Sequence, residues 1–146
     1  MTTRRRRPLL DPVRADHDAQ RVMVVLPRDV VSAARGRAWI AAFLDAHGVP
    51  EARRRDAVLV VSELVTNALR YGLGEVVARA SIEHRDEIHL AVTDSGDELP
   101  VVLPADPERV GGIGLRVVDQ LSAEWGVTPF PGGKTVWATL ASVVRA

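Results

Sequence analysis

The stretch A-V-L-V-V-S-E-L-V-T-N-A-L, residues 57–69, places a carboxylate and a carboxamide inside an otherwise apolar helix. Apolar residues on most sides predict a helix that the rest of the protein covers. Glu63 and Asn67 are four residues apart, so their side chains lie one above the other on one helix face. Covered polar groups are costly unless they form hydrogen bonds or bind a ligand. The pair therefore either bonds to nearby backbone or belongs to a binding site.

The composition limits the classes of function. With 146 residues, of which 47% are hydrophobic, the chain predicts one domain with an adequate core. A net charge of zero gives no general electrostatic basis for binding nucleic acid or membrane. The absence of cysteine excludes disulfides, thiol catalysis and thiolate metal sites. No stretch approaches the ~20 apolar residues of a membrane span, so we expect a soluble, cytoplasmic protein.

Patterning along the chain predicts a basic, disordered arm over residues 1–19 and one domain over residues 20–142. The four arginines at residues 4–7 are followed by prolines and Asp11 rather than by the apolar part of a signal peptide. We predict strands at 21–26, 76–83, 88–93, 123–128 and 134–142, helices at 30–46, 50–71 and 112–121, and a loop at 98–110. This order predicts an α+β fold, a two-layer sandwich in which a mixed, mostly antiparallel sheet carries helices on one face.

A second signal is D-S-G, residues 94–96, at the end of a predicted strand. Taken alone it is an ordinary turn. An aspartate in this position can also accept a hydrogen bond from an exocyclic amine, and glycine lets a flat ring lie against bare backbone.

Two glycine-containing segments complete the set. In G-G-I-G-L, residues 111–115, glycines lead into a helix whose free amides can bind phosphate. In G-G-K-T-V-W, residues 132–137, the hydroxyl of Thr135 opens a strand. Helix entrances and hairpin turns use the same residues without any ligand, so each segment alone is weak evidence for a binding site.

Together the four signals supply what a purine nucleotide with Mg²⁺ requires: an amine acceptor, a phosphate cradle, an amide ligand and a carboxylate base. Magnesium prefers oxygen ligands and usually takes one or two from the protein beside the phosphates. The side chain of Asn67 suits that role.

In this order, S-E-L-V-T-N-A, D-x-G, G-x-G-L and G-K-T-V-W, the motifs resemble those of the gyrase/histidine-kinase ATPase superfamily. Within it, the chain is most similar to single-domain anti-sigma-factor serine/threonine kinases of the actinobacterial type. The resemblance covers about residues 20–142. By this resemblance Glu63 would be the general base and Asn67 would coordinate Mg²⁺. Asp94 would bind the adenine amino group with Gly96 beneath the ring, and Thr135 would help to fix the base.

The resemblance also implies how the phosphates of ATP would be held. Gly112 and Gly114 would line them, and Leu115 follows in the same nucleotide-binding motif. Residues 98–110 would form the lid over ATP, from which Arg109 would reach the γ-phosphate, although it stands one residue further from G-x-G than in some relatives.

The chain departs from the pattern of this branch at one position. Tyr71 stands where a histidine is common after N-A-x-x, which predicts different contacts near the lid. Arg70 shares the helix face of Asn67 and is an alternative phosphate partner. An arginine at such a position is more often simply solvated.

The resemblance implies an anti-sigma factor that phosphorylates a serine or threonine of an anti-anti-sigma antagonist. The sequence leaves open a nucleotide-gated binding module that transfers no phosphate. The positions of the histidines disfavour a two-component histidine kinase. The implied partners are a sigma factor, the antagonist, or both, without direct nucleic acid or membrane contact. By resemblance, residues 22–43 would form a homodimer interface. The arginines at residues 53–55 either form a surface that binds a partner protein or are simply exposed to solvent.

Overall fold

The computed structural model describes residues 20–96 and 113–141, and in these residues the chain forms five strands and three α-helices. The strands are β1 (Gln20–Leu26), β2 (Val76–Ile82), β3 (Ile88–Asp94), β4 (Glu124–Phe130) and β5 (Gly133–Leu140). The helices are α1 (Ser32–Ala46), α2 (Glu51–Tyr71) and α3 (Ile113–Leu121), and a 3₁₀ turn (His84–Asp86) joins β2 to β3.

The strands form one sheet in the order β1-β2-β3-β5-β4. All four pairings among the described strands are antiparallel. The predicted two-layer α+β fold is therefore confirmed. The prediction gave a mixed, mostly antiparallel sheet, and in the described residues the sheet is antiparallel throughout. The connection from β3 through α3 leads to β4 at the sheet edge, and β5 then returns between β3 and β4.

Alternation along β5 separates the two faces of the sheet. Val136 and Ala138 belong to the apolar core between sheet and helices. The helices contribute Ile40, Leu44, Val61, Leu64, Leu115 and Val118 to the same core. Thr135 and Trp137 therefore lie on the opposite face of the sheet. Each fully buried Leu, Ile or Val stabilises the fold by about 1.5–3 kcal/mol, so this layer holds the helices in place.

Helix α2 has clear signals at both ends. It starts directly after Pro50, whose fixed φ and missing N–H suit the first turn. It ends at Gly72, whose N–H donates to the carbonyl oxygen of Ala68 at 2.9 Å. These boundaries agree with the predicted helix over residues 50–71.

The hairpin of β4 and β5 differs from its prediction. The predicted strand ended at residue 128, but β4 continues through Pro129 to Phe130. Proline is tolerated because β4 is an edge strand and needs no N–H on its open side. The turn is therefore only Pro131 and Gly132, and Gly132 has a φ of +91°.

Several predicted features lie outside the described residues. They are the arm at residues 1–19, the lid at 98–110 with Arg109, and Gly111 and Gly112. Within the described ranges, no helix has the length and apolar character needed to cross a membrane.

Candidate functional site

The site begins where the C-terminal end of α2 meets the end of β3. The N–H of Ser95, just after β3, donates to the carbonyl oxygen of Leu73, just after α2, at 2.8 Å. A Cβ atom added to Gly72 would lie 2.5 Å from Oδ1 of Asp94. The last turn of α2 therefore packs directly on the Asp94 carboxylate.

Helix α2 carries the two polar side chains that the sequence singled out. Glu63 and Asn67 are both half-buried. Oδ1 of Asn67 is buried, and across residues 20–96 and 113–141 it finds no hydrogen-bond donor. The alternative that Asn67 bonds to neighbouring backbone through this oxygen is not what the structure shows. A buried, unsatisfied oxygen is what a bound cation would satisfy.

Asp94 is buried, with 3% of its surface exposed. Its Oδ1 accepts two hydrogen bonds, one from the N–H of Gly96 at 2.7 Å and one from Nζ of Lys134 at 2.9 Å. Lys134 is 0% exposed and also reaches the carbonyl oxygen of Gly96 at 3.4 Å. In this ion pair, each buried group compensates for the water that the other has lost.

Three glycines surround Asp94 and leave no room for a side chain. A Cβ at Gly96 would lie 3.0 Å from Oδ1 of Asp94 and 3.1 Å from Cα of Gly72. A Cβ at Gly133 would overlap the carbonyl oxygen of Asp94 and lie 2.8 Å from Cζ of Phe130. Gly72 and Gly96 let backbone approach the Asp94 carboxylate, and Gly133 lets β5 approach the backbone carbonyl of Asp94, so the position of this residue is fixed from three sides.

Thr135 does not join this group. Its hydroxyl lies 2.8 Å from the hydroxyl of Thr93, and Nη1 of Arg79 donates to Thr93 at 3.4 Å. In the register of β3 and β5, Asp94 is opposite Lys134 and Thr93 is opposite Thr135. Adjacent residues point to opposite faces, so Lys134, and not Thr135, shares the face of Asp94.

The predicted phosphate segment is described only in part. Gly114 is the second residue of α3. Leu115 is 2% exposed and belongs to the apolar core, where it helps to hold α3 against α2. Arg109 and Gly112 lie outside the described residues.

Arg70, the alternative phosphate partner, is exposed and lines a cavity of about 340 Å³. Thr66 and Arg28 line the same cavity, whereas Glu63, Asn67 and Asp94 do not. The structure therefore does not bring Arg70 to the Asp94 group.

The arginines at residues 53–55 are largely used within the molecule. Arg53 donates to the carbonyl oxygen of Ala141 at 2.7 Å, and burial lowers the pKa of its guanidinium, opposed by the charges of Asp86 and Asp56. Arg54 donates to the carbonyl oxygen of Val49 at 2.6 Å. Of the three, only Arg55 is exposed.

The residues present fit Mg²⁺ held jointly with a nucleotide. The orphaned Oδ1 of Asn67 offers one hard oxygen ligand. Within the described ranges, no group of three or more His, Cys, Asp or Glu side chains could hold a metal without such help. In the described residues, α2 thus carries a carboxylate and a buried, unsatisfied amide oxygen, and its C-terminal end packs on the buried carboxylate of Asp94.

Comparison with known proteins shows the family of the chain. The family model of the histidine kinase-like ATPase domain matches residues 26–140, and the chain belongs to that family. The resemblance of the motifs to the gyrase/histidine-kinase ATPase superfamily is thereby confirmed, and an ATPase domain implies ATP binding. No curated protein matches the chain.

Solved structures are similar to this chain to different degrees, and the first of the following two shares its fold. The crystal structure of the RsbU and RsbW domains of Rv1364c from Mycobacterium tuberculosis is similar with a TM-score of 0.66 and 21% identity, over 86% of this chain and 35% of that one. The chain thus spans about a third of that relative. The histidine kinase domain of the Erythrobacter litoralis EL346 blue-light activated histidine kinase has a TM-score of 0.47 and 23% identity, over 78% of this chain and 60% of that one.

Sequence reasoning missed Lys134, Gly72 and Gly133 as parts of the site. Gly72 and Gly133 read as ordinary helix-stop and turn residues. A signal for Lys134 was present, because it is the single lysine among 19 basic side chains. Because the chain otherwise uses arginine, its one lysine, which directly follows two glycines, marks a position where arginine is not an equivalent side chain.

Proposed function

We propose that this protein is an ATP-dependent serine/threonine protein kinase that acts as an anti-sigma factor and phosphorylates an anti-anti-sigma antagonist. The observation that carries the proposal is the unsatisfied Oδ1 of Asn67, one helical turn from Glu63 on the helix whose C-terminal end packs on Asp94. Membership in the histidine kinase-like ATPase family and the motif resemblance support it.

In this proposal each residue has one task. Asp94 accepts a hydrogen bond from the 6-amino group of adenine and so selects the base. Asn67 would hold Mg²⁺, which when bound would supply positive charge beside the phosphates. Glu63 accepts the proton of a serine or threonine hydroxyl as that oxygen bonds to the γ-phosphorus and the bond to ADP breaks. Within the described residues the side chain of Glu63 has no hydrogen-bond or ion-pair partner, so its carboxylate is available to act as the base.

The first test is binding of Mg-ATP, measured by calorimetry. We expect one saturable site in the wild type and at least a 30-fold loss of affinity in Asn67→Ala, because the substitution removes a metal ligand. Thr66→Ala is the matched control, since Thr66 is the preceding residue on α2 and lines the separate cavity with Arg28 and Arg70. Equal loss in both variants would indicate damage to the helix and contradict the assigned role of Asn67.

The second test separates a kinase from a nucleotide-gated binding module. Candidate antagonist proteins are incubated with γ-labelled ATP and the wild type, Glu63→Gln or Thr66→Ala. Loss of a general base reduces phosphotransfer by about 10²–10⁴-fold, and ATP binding should persist in Glu63→Gln. Phosphotransfer that is undiminished in Glu63→Gln would refute the proposed base. ATP-dependent binding of an antagonist without transfer, in the wild type as well, would favour the binding module.

A further inference from the structure

Lys134 occupies an unusual position for a lysine. It is the only one in the chain, and its side chain is wholly buried. Lysine is rarely buried unless it is paired, because its ammonium is strongly hydrated in water. In the register of β3 and β5 it lies opposite Asp94, the residue proposed to select the base.

Among the described residues, the hydrogen bonds of Lys134 account for two of its three donors. An ammonium has three N–H groups. One reaches Oδ1 of Asp94 and a second reaches the carbonyl oxygen of Gly96. In the part of the chain that the structure describes, no third acceptor is bonded to Nζ.

Among the described residues, Asp94 has one carboxylate oxygen that accepts no hydrogen bond. Both of its bonds, from Lys134 and from the Gly96 N–H, end on Oδ1. Oδ2 accepts none from residues 20–96 and 113–141. Within these residues the pair therefore has one unused N–H donor on Nζ of Lys134 and one unused acceptor, Oδ2 of Asp94.

We propose that Lys134 is a specificity-determining residue of the base site and donates its third N–H to N1 of adenine, while Oδ2 of Asp94 accepts from the 6-amino group. Adenine carries this acceptor and this donor on adjacent positions of one edge, so the two side chains complement it together. This inference rests on the proposed function, because it requires ATP to bind with its base at Asp94. Arginine would serve less well, because its planar fork cannot place three bonds around one nitrogen.

The test compares ATP with 1-deaza-ATP, in which a C–H replaces N1 and the 6-amino group remains. We expect the wild type to bind ATP about 10-fold more tightly, the range for one hydrogen bond to a charged group. In Lys134→Gln we expect the ratio to fall to about 1–2. The glutamine amide has two N–H groups, which can keep the bonds to Asp94 and Gly96 but leave no donor for N1.

Two controls distinguish recognition of the adenine base by Lys134 from a general loss of nucleotide binding. Thr139→Val, on the same strand, replaces a buried hydroxyl that has no partner among the described residues, and should keep the wild-type ratio. Purine riboside triphosphate lacks the amine but keeps N1, so the wild type and Lys134→Gln should both bind it more weakly than ATP. Lysine labelled with ¹⁵N at Nζ gives a single resonance, because the chain has one lysine. This resonance should shift when the wild type binds ATP and shift less with 1-deaza-ATP. The measurement needs no variant.

The outcomes distinguish this inference from the proposed function. If the wild type binds Mg-ATP but binds 1-deaza-ATP equally well, or if Lys134→Gln keeps the wild-type ratio, the role of Lys134 is overturned and ATP binding stands. If the wild type binds neither nucleotide, the proposed function fails and this inference fails with it. A Lys134→Gln variant that does not fold leaves the lysine resonance to decide.

Discussion

At the scale of single residues, Gly72 shows how packing alone can demand glycine. Its φ of −97° is open to any residue, so the backbone imposes no restriction. A Cβ there would lie 2.5 Å from Oδ1 of Asp94 and 2.6 Å from the carbonyl oxygen of Ala68. These atoms belong to a helix end and to a buried ion pair, and neither can move without loss of hydrogen bonds.

We therefore predict that Gly72→Ala lowers the free energy of unfolding by about 1–3 kcal/mol, the usual cost of overpacking, and also weakens Mg-ATP binding. Urea denaturation and calorimetry measure the two effects. In the control Gly48→Ala, the residue has a φ of +71° and nothing within 4 Å of the added Cβ. That variant should lose about 1 kcal/mol through backbone strain and retain ATP affinity. Wild-type ATP affinity in Gly72→Ala would show that Asp94 is not held by this contact.

At the scale of elements, Arg28 anchors the end of α2 that carries Asn67. The last carbonyls of a helix lack partners within the helix. Nη1 of Arg28 donates to the carbonyl oxygens of Ala68 at 3.1 Å and Gly74 at 3.2 Å, and Nη2 donates to that of Leu69. A cation at this end is also favoured by the helix dipole. Arg28, two residues after β1, thus holds the C-terminal end of α2 in place.

Removing this anchor should loosen α2. We expect Arg28→Ala to destabilise the protein by about 1–3 kcal/mol through the lost charge-assisted hydrogen bonds. Hydrogen exchange should speed up at the last turn of α2, which is the direct readout. The matched control is Arg35→Ala, because the side chain of Arg35 is exposed and makes no hydrogen bond or ion pair within the described residues. Equal effects in the two variants would mean that the contacts at the carbonyls contribute nothing.

Most elements could be predicted from the sequence because their signals are local. Helix α2 has a 3.6-residue apolar period, Pro50 before its start and Gly72 after its end, and its predicted limits agree with the structure. The end of β4 could not be found in this way, because Pro129 normally ends a strand. It continues only since β4 lies at the sheet edge, and the strand order is a property of the whole fold.

At the scale of the whole molecule, a ligand that binds only the folded state raises its stability. At 100 times its Kd, Mg-ATP should stabilise the protein by about 2.7 kcal/mol, which corresponds to a rise in Tm of roughly 5–10 °C. Thermal denaturation followed by circular dichroism measures this rise. EDTA should reduce it, as should Asn67→Ala, because both remove the metal link to the phosphates. A shift that is equally large with EDTA would contradict a role for Mg²⁺.

The sequence by itself determined the fold class, the family resemblance and the placement of Glu63 and Asn67 on one helix face. These follow from periodicity and spacing, which act over a few neighbouring residues. Only the tertiary structure decided that Lys134 lies with Asp94 and that Thr135 points away. A strand's side chains alternate between faces, so a shift of one residue in register exchanges them. The register of β3 with β5 is set by pairing between segments 40 residues apart, which no local pattern specifies.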